Sequence, residues 1–411
     1  MKYKAVKNKK YDFAGQSYAA VYPNLHKYPA TMLPQIGIEI FKELNLKNGK
    51  MLNPYCGSGS SFAAGLERKF QEMRGYDINP LAVLISKAKF TRVDLEAVKN
   101  ARQNLRESVF DFIKVEKNIK SLPTPNFYNI NFWFSKQVLE NLSVLKHFIF
   151  KIPSDIRSLF LVAFSETVRD CSYTRNNEFK LYRMKSEDVL NFNPDVFGVY
   201  FAKLNKVIDI YQYCYFPKLN GAKIEISYNL FPQTVDYFDV VLTSPPYGDS
   251  RTTVAYGQFS MFGNEWLGID YARQVDNFLM GGQKVKTIFT ESLITDYIQE
   301  IEKSSPKRAL EVSSFYIDLD KSIRKVSKSI KRNGKAIYVV GNRRVKDVQL
   351  PTDQFIAEKF EANGFSHLFT YERNLGNKSM PLKNSPSNKI GESRGTMTKE
   401  FIVVCEKTPD K

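Results

Sequence analysis

Two short stretches of this 411-residue chain set reactive side chains where a strand gives way to a loop. The first is Leu52-Asn53-Pro54-Tyr55-Cys56-Gly57-Ser58-Gly59-Ser60, which joins an apolar strand to a helix. Its glycines let the backbone turn tightly and approach a ligand closely. The N–H groups that open the following helix favour a polar or anionic group. No Gly-Lys-Ser/Thr follows, so it is not a phosphate loop of the Walker type, and it lacks the full dinucleotide fingerprint. Asp77 ends the next short strand and is followed by Ile78. A carboxylate there can accept hydrogen bonds from both hydroxyls of a ribose. A glycine-rich first turn with an acid at the second strand end points to a nucleoside-bearing ligand.

The second stretch is Asp239-Val240-Val241-Leu242-Thr243-Ser244-Pro245-Pro246-Tyr247-Gly248. Two consecutive prolines at a strand end make a rigid extended turn without N–H donors, which leaves carbonyls free to accept. Open parallel sheets carry their sites at the carboxyl ends of the strands, where Tyr247 would present a ring. A ring for stacking beside acceptors for an exocyclic amine suits a base taken out of its stack.

The elements around these stretches alternate. An apolar period predicts a helix over 36–44, a strand into residues 51–54, a helix over 61–70, a strand over 73–78 and a helix over 80–90. Residues 95–215 change character, with helical patterns at 137–151 and 155–169 and polar, aromatic loops. The sheet signature returns at 223–227 and 239–242, followed by a helix over 315–332, a strand over 335–340, a helix over 352–363 and a closing strand over 400–406. Strands alternating with helices predict a doubly wound, mostly parallel Rossmann-like α/β sheet with a helical insertion. Three regions follow: 1–94 with the glycine loop, the insertion 95–218, and 219–411 with the proline turn.

Composition narrows the class. The chain holds 60 Lys+Arg against 43 Asp+Glu, a formal net charge of +17, which favours a polyanionic partner such as nucleic acid. The abundance of Lys, Asn, Ile, Phe and Tyr also matches an AT-rich genome, so part of the excess is compositional. The N-terminus lacks an apolar secretory core, and the longest apolar runs fall far short of the roughly 20 residues that span a bilayer. Cys56, Cys171, Cys214 and Cys405 form no CxxC pair, and the three histidines are scattered, so no metal site is expected. Scattered thiols fit a reducing cytoplasm.

Taken together, the two stretches resemble the amino-methyltransferases that modify exocyclic base amines in DNA with S-adenosylmethionine, closest to the cytosine-N4 members of restriction–modification systems. The family's cofactor loop, Asp-Pro-Phe-x-Gly-Ser-Gly, is matched by Asn53-Pro54-Tyr55-Cys56-Gly57-Ser58-Gly59. Its catalytic tetrapeptide is matched by Ser244-Pro245-Pro246-Tyr247, and its cofactor segment in permuted members by His26-Lys27-Tyr28-Pro29-Ala30. The resemblance covers roughly 20–90 and 220–410. It departs at Asn53, where an acid is usual, and at Ile226-Ser227-Tyr228-Asn229, where an Asp is common; Asn229 is the corresponding adenine contact.

The resemblance implies methyl transfer to the exocyclic amine of a flipped base in double-stranded DNA, with a cognate restriction endonuclease encoded nearby. Ser244 and the Pro245 carbonyl would accept the amine's protons, and Tyr247 would stack on the base. Carbon-5 methylation is disfavoured because no Cys follows a Pro. Ser at position 244 favours cytosine N4. Adenine N6, an RNA base, and a catalytically silent nucleic-acid-binding chain are the alternatives.

Residues 321–346 hold ten basic and no acidic side chains, with Lys325 and Lys328 on one face of the expected helix. These two, Arg175 in the insertion, Arg251 after the proline turn and Arg394 in the loop 374–399 are the candidates for DNA contact.

Overall fold

The computed structural model describes residues 2–16, 21–115, 119, 121–175, 179–219, 221–249, 253–375 and 397–408, and the backbone of 383–384 and 394–395. An eight-stranded sheet runs through the centre. Its strands are β1 (Val6–Lys7), β2 (Lys50–Asn53), β3 (Glu72–Asp77), β4 (Lys223–Tyr228), β5 (Phe238–Thr243), β6 (Ile330–Val340), β7 (Phe365–Asn374) and β8 (Lys399–Lys407). The spatial order is β1-β7-β8-β6-β5-β2-β3-β4. Strands β4, β3, β2, β5 and β6 are parallel. Strand β8 runs antiparallel to both β6 and β7. The order reverses at β2, between β3 and β5, and such a switch point opens a crevice at the carboxyl ends of the strands.

Period-two burial explains why both sheet faces are covered. Met51, Val240, Leu242, Ile337 and Val339 enter one core. Their neighbours Leu52, Val241, Tyr338 and Val340 enter the other. Helices α1 (Pro34–Glu43), α2 (Phe62–Glu67) and α3 (Pro80–Phe90) cover the first face. The chain between α3 and β4 then adds α4 (Leu95–Ile113), α5 (Lys136–Ile149), α6 (Arg157–Asp170) and α7 (Val196–Ile210). Asp94, Ser135 and Asp195 cap three of these helices through their side-chain oxygens. Helix α6 is buried on nearly every side, so the added helices share a core with the sheet. After β5 come α8 (Tyr256–Trp266), α9 (Thr295–Ser304), α10 (Pro306–Ser329) and α11 (Thr352–Glu361); α9 to α11 pack on the second face.

The structure moves some expected boundaries. The helix expected over 315–332 starts earlier and stops at Ser329, and β6 begins at Ile330 rather than at 335. Ile330 pairs with Phe238 of β5, so ladder pairing overrides an apolar spacing that also suits a helix. Lys331 and Arg332 therefore lie on a strand, and Lys331 Nζ is 2.8 Å from Asp239 Oδ1. Strand β7 was not expected. It alternates only weakly between buried and half-exposed residues, because its β1 neighbour covers two residues.

Candidate active site

The glycine loop is built from short-range contacts. Strand β3 ends at Asp77, and Asn79 then caps α3 by accepting from Leu81 N–H at 3.2 Å, with Pro80 at the first helical position. That geometry aims the Asp77 carboxylate back at the loop, where Oδ2 accepts from Gly57 N–H at 2.8 Å and Oδ1 from Asn79 N–H at 2.9 Å. Burial raises its pKa, while the backbone N–H groups oppose the rise. Helix α3 holds the loop's carbonyls: Ser86 donates to Gly57 O at 2.7 Å and Lys89 Nζ to Ser58 O at 2.9 Å. Lys89 is 2% exposed, and burial lowers its pKa to about 7. Gly59 has φ +84°, and a Cβ there would meet Phe90 at 2.5 Å, so the residue must be glycine.

Asn53 is enclosed. Its Oδ1 accepts from Thr243 Oγ1 at 2.7 Å and Tyr55 N–H at 3.2 Å, and its Nδ2 donates to Ser61. It ties the glycine loop to the strand that carries Ser244. Cys56 lies in the same loop, where burial, with help from Asp77, raises the thiol well above its ordinary value and keeps it protonated.

These groups open into one cavity of about 750 Å³. Of the residues singled out in the sequence, Tyr28, Asn53 to Ser58, Asp77, Ile78, Asn229, Ser244 and Pro246 line it. The two motifs, separated by the whole insertion, therefore share a wall. Sequence reasoning missed that α10 forms one side of the cavity: Asp318 and Ser322 stand on one of its faces with Lys325, singled out only for DNA contact, and with Lys321. Their i, i+4, i+7 spacing was the available signal. Gly281 N–H donates to Asp318 Oδ2 at 3.0 Å, and Tyr55 OH to Ser322. Tyr228 and Tyr271 also line the cavity, stacked at 5.8 Å and 22°.

Other expected residues lie elsewhere. His26 and Pro29 do not line the cavity. His26 is buried against α6, Nε2 3.3 Å from Ser165 Oγ, with its ring edge-on to Phe259. Burial lowers its pKa to about 3, which makes it a neutral core residue. Gly59 and Pro245 are also outside the lining. Tyr247 turns away from the cavity: its ring lies against Gly341 and its hydroxyl donates to Glu400 Oε1 at 3.1 Å. The expectation that it stacks on the base does not fit this placement, because the second core takes the ring.

Of the DNA-contact candidates, Lys325 lines the cavity, with Nζ 5.6 Å from the Phe231 ring centroid. Lys328 is exposed on α10, and Arg175 is exposed beside the bridge between Thr174 and Arg183. Arg394 has a described backbone, in a two-residue strand paired with Lys383–Asn384. Arg251 lies outside the described residues. Among the described residues, no group of three His, Cys, Asp or Glu could hold a metal ion, and no helix is long and apolar enough to cross a membrane.

A switch-point cavity with a glycine loop, a strand-end acid and a Ser-Pro-Pro turn defines a Rossmann-like methyltransferase. The type II methyltransferase M.MvaI of Kocuria varians is 37% identical over 420 residues, which cover 93% of this chain and 90% of that protein. The chain belongs to this family of S-adenosylmethionine-dependent DNA methyltransferases. No family model matches the chain. Two solved structures align with low TM-scores. TTHA0409 from Thermus thermophilus, complexed with S-adenosyl-L-methionine, gives 0.20 at 19% identity, over 44% of this chain and 49% of that one. The rRNA methyltransferase aviRa from Streptomyces viridochromogenes gives 0.30 at 11% identity, over 97% and 94%.

The residues present fit the family's cofactor. Asp77 suits ribose hydroxyls, Tyr228 with Asn229 suits a purine, and Asp318 with Lys321 offers charges opposite to those of an amino-acid zwitterion. Asn53 is neutral and already bonded on both ends of its amide, so it cannot serve the cofactor's ammonium as an acid would.

Proposed function

We propose that the chain transfers a methyl group from S-adenosylmethionine to the N4 amine of a cytosine flipped out of double-stranded DNA, as the modifying half of a restriction–modification system. The observation that carries this reading is the shared cavity: Gly57 and Asp77 line it together with Ser244 and Pro246. The cofactor supplies an electrophilic methyl group on a sulfonium. An exocyclic amine is a poor nucleophile, because its lone pair is conjugated with the ring. The Ser244 hydroxyl, which lines the cavity, accepts a hydrogen bond from the amine and draws the nitrogen towards tetrahedral geometry, and the amine gives up one proton to solvent as it takes the methyl group. Holding the amine in line with the methyl group can lower the barrier by up to about 7–11 kcal/mol. No covalent intermediate with the enzyme is needed, and the protonated Cys56 plays no nucleophilic part.

A neutral hydroxyl accepts from either a cytosine or an adenine amine, so the choice of N4 rests on the resemblance at Ser244. The insertion 95–218, with exposed Arg175, is our candidate for reading bases, and Lys328 for a phosphate contact. The test is nucleoside analysis of DNA incubated with the enzyme and labelled cofactor. N4-methylcytosine is the expected product, and N6-methyladenine alone would replace the N4 reading. S244A should lower kcat by about 10²–10³-fold, as loss of one positioned polar group does elsewhere, with cofactor affinity within threefold. Full activity in S244A would remove the turn from the mechanism.

A further inference from the structure

We infer that Glu400 is a positioning residue that fixes the direction of the hydrogen bond made by Ser244, so that the serine faces its substrate as an acceptor. This rests on the assignment of Ser244 above, and it adds a residue that lies far from both motifs. Ser244 Oγ donates to Tyr247 OH at 3.2 Å, and Tyr247 OH donates to Glu400 Oε1 at 3.1 Å. Glu400 is 4% exposed and is ion-paired with the equally buried Arg373. Arg373 Nε donates in turn to the Tyr11 carbonyl at 2.6 Å, in the N-terminal segment. The next residue, Asn374, is held by Asp12 through its N–H at 2.7 Å and its amide nitrogen at 3.1 Å.

A hydroxyl can donate or accept, and a serine alone would present either face to an amine. An ionised carboxylate has no proton to give. Tyr247 must therefore donate to Glu400, and its oxygen is left to accept from Ser244. Burial and the nearby Glu400 charge raise the Tyr247 pKa well above its ordinary value, so the phenol keeps the proton this arrangement needs. Ser244, with its own proton committed to Tyr247, offers only lone pairs to the cavity. Gly341 admits the ring: a Cβ there would come within 2.8 Å of Tyr247 Cδ2. The buried ion pair with Arg373 also helps to fix the carboxylate in place, because breaking a buried pair is costly.

The test is kinetic, on the full chain. Y247F removes the middle hydroxyl and leaves the Arg373–Glu400 pair intact. E400Q keeps the shape but supplies a donor that can reverse the chain. We expect kcat to fall about tenfold or more in each, with the KM for S-adenosylmethionine within twofold. The double variant should be no slower than the worse single one, because both changes break the same chain. E400D, which keeps the charge, should recover part of the loss. Multiplicative losses in the double variant, or a kcat above half of wild type in Y247F, overturn the proposal. If E400Q does not fold, Y247F decides alone, and a melting temperature close to wild type certifies its fold.

Discussion

The two ends of the cavity are held in different ways. The glycine loop is fixed at Gly57 and Ser58 by near neighbours in sequence, Asp77 and Ser86 on Gly57 and Lys89 on Ser58, at separations of 20, 29 and 31 residues; only its start, Asn53 and Tyr55, reaches farther, to Thr243 and Ser322. The proline turn is fixed by distant ones: Arg343 on Asp249 at 94 and Glu400 on Tyr247 at 153. The first end is mostly main chain held by a few side chains, and the second is side chains held by buried charges. A local clamp forms with its own βαβ unit, whereas a long-range clamp exists only once the sheet has closed. The cofactor end should therefore fail by losing affinity. The catalytic end should fail by losing stability or turnover.

The largest expected effect breaks the long-range end. Arg343 Nη1 is 2.9 Å from Asp249 Oδ2, with both side chains almost fully buried. R343M takes the guanidinium away from the buried Asp249 carboxylate, and breaking a buried ion pair in this way costs about 3–5 kcal/mol. Denaturant unfolding should show this loss, and R343M combined with D249L should recover much of it. A double variant as unstable as the sum of the singles would mean that the pair is not the clamp.

Breaking the near-neighbour end should read out in binding. D77A removes the acceptor of Gly57 N–H and the proposed ribose contact. A charged hydrogen bond contributes about 1.5–3 kcal/mol, so the cofactor Kd should rise roughly 10–100-fold in calorimetric titration, with little change in kcat at saturation. An unchanged Kd would show that the loop binds without its clamp.

G59A probes the same loop sterically. The positive φ and the contacts with Phe90 and Ser86 predict a cost of about 1–3 kcal/mol, as in other overpacked sites. Melting temperature and cofactor Kd should both worsen, in contrast to D77A, whose effect should lie in Kd.

The last effect concerns His26 and is absent at neutral pH. Its folded pKa of about 3 lies below the ordinary 6.5, so between those values the unfolded chain binds a proton that the folded one does not. Stability contributed by the neutral ring is complete above pH 6.5. It is lost as pH falls towards 3, by at most about 1.4 kcal/mol per pH unit. H26F should flatten the fall in melting temperature over that window while leaving cofactor affinity unchanged. A raised cofactor Kd in H26F would return the residue to the cofactor site.

Both motifs were legible in the sequence because each is contiguous and its turn chemistry is local. Asp77-Ile78-Asn79-Pro80 reads directly as a strand end, a cap and a helix start. The strands at 51, 73, 223 and 239 were legible from short apolar runs, and the mostly parallel order from their alternation with helices. Strand β7 was not, because half-exposed residues carry little alternation. His26 adjoins Tyr28 in sequence, but only packing shows that one ring points into α6 and the other into the cavity.

The sequence by itself determined that a glycine loop with an acid and a Ser-Pro-Pro turn would each sit at a strand's carboxyl end, because turn chemistry and period-two burial act over a few residues. Only the tertiary structure decided that the two share one cavity, that α10 lends it Asp318, and that Tyr247 turns to Glu400. Those outcomes depend on the order of strands in the sheet and on which buried charges meet across it, and no spacing along the chain encodes either.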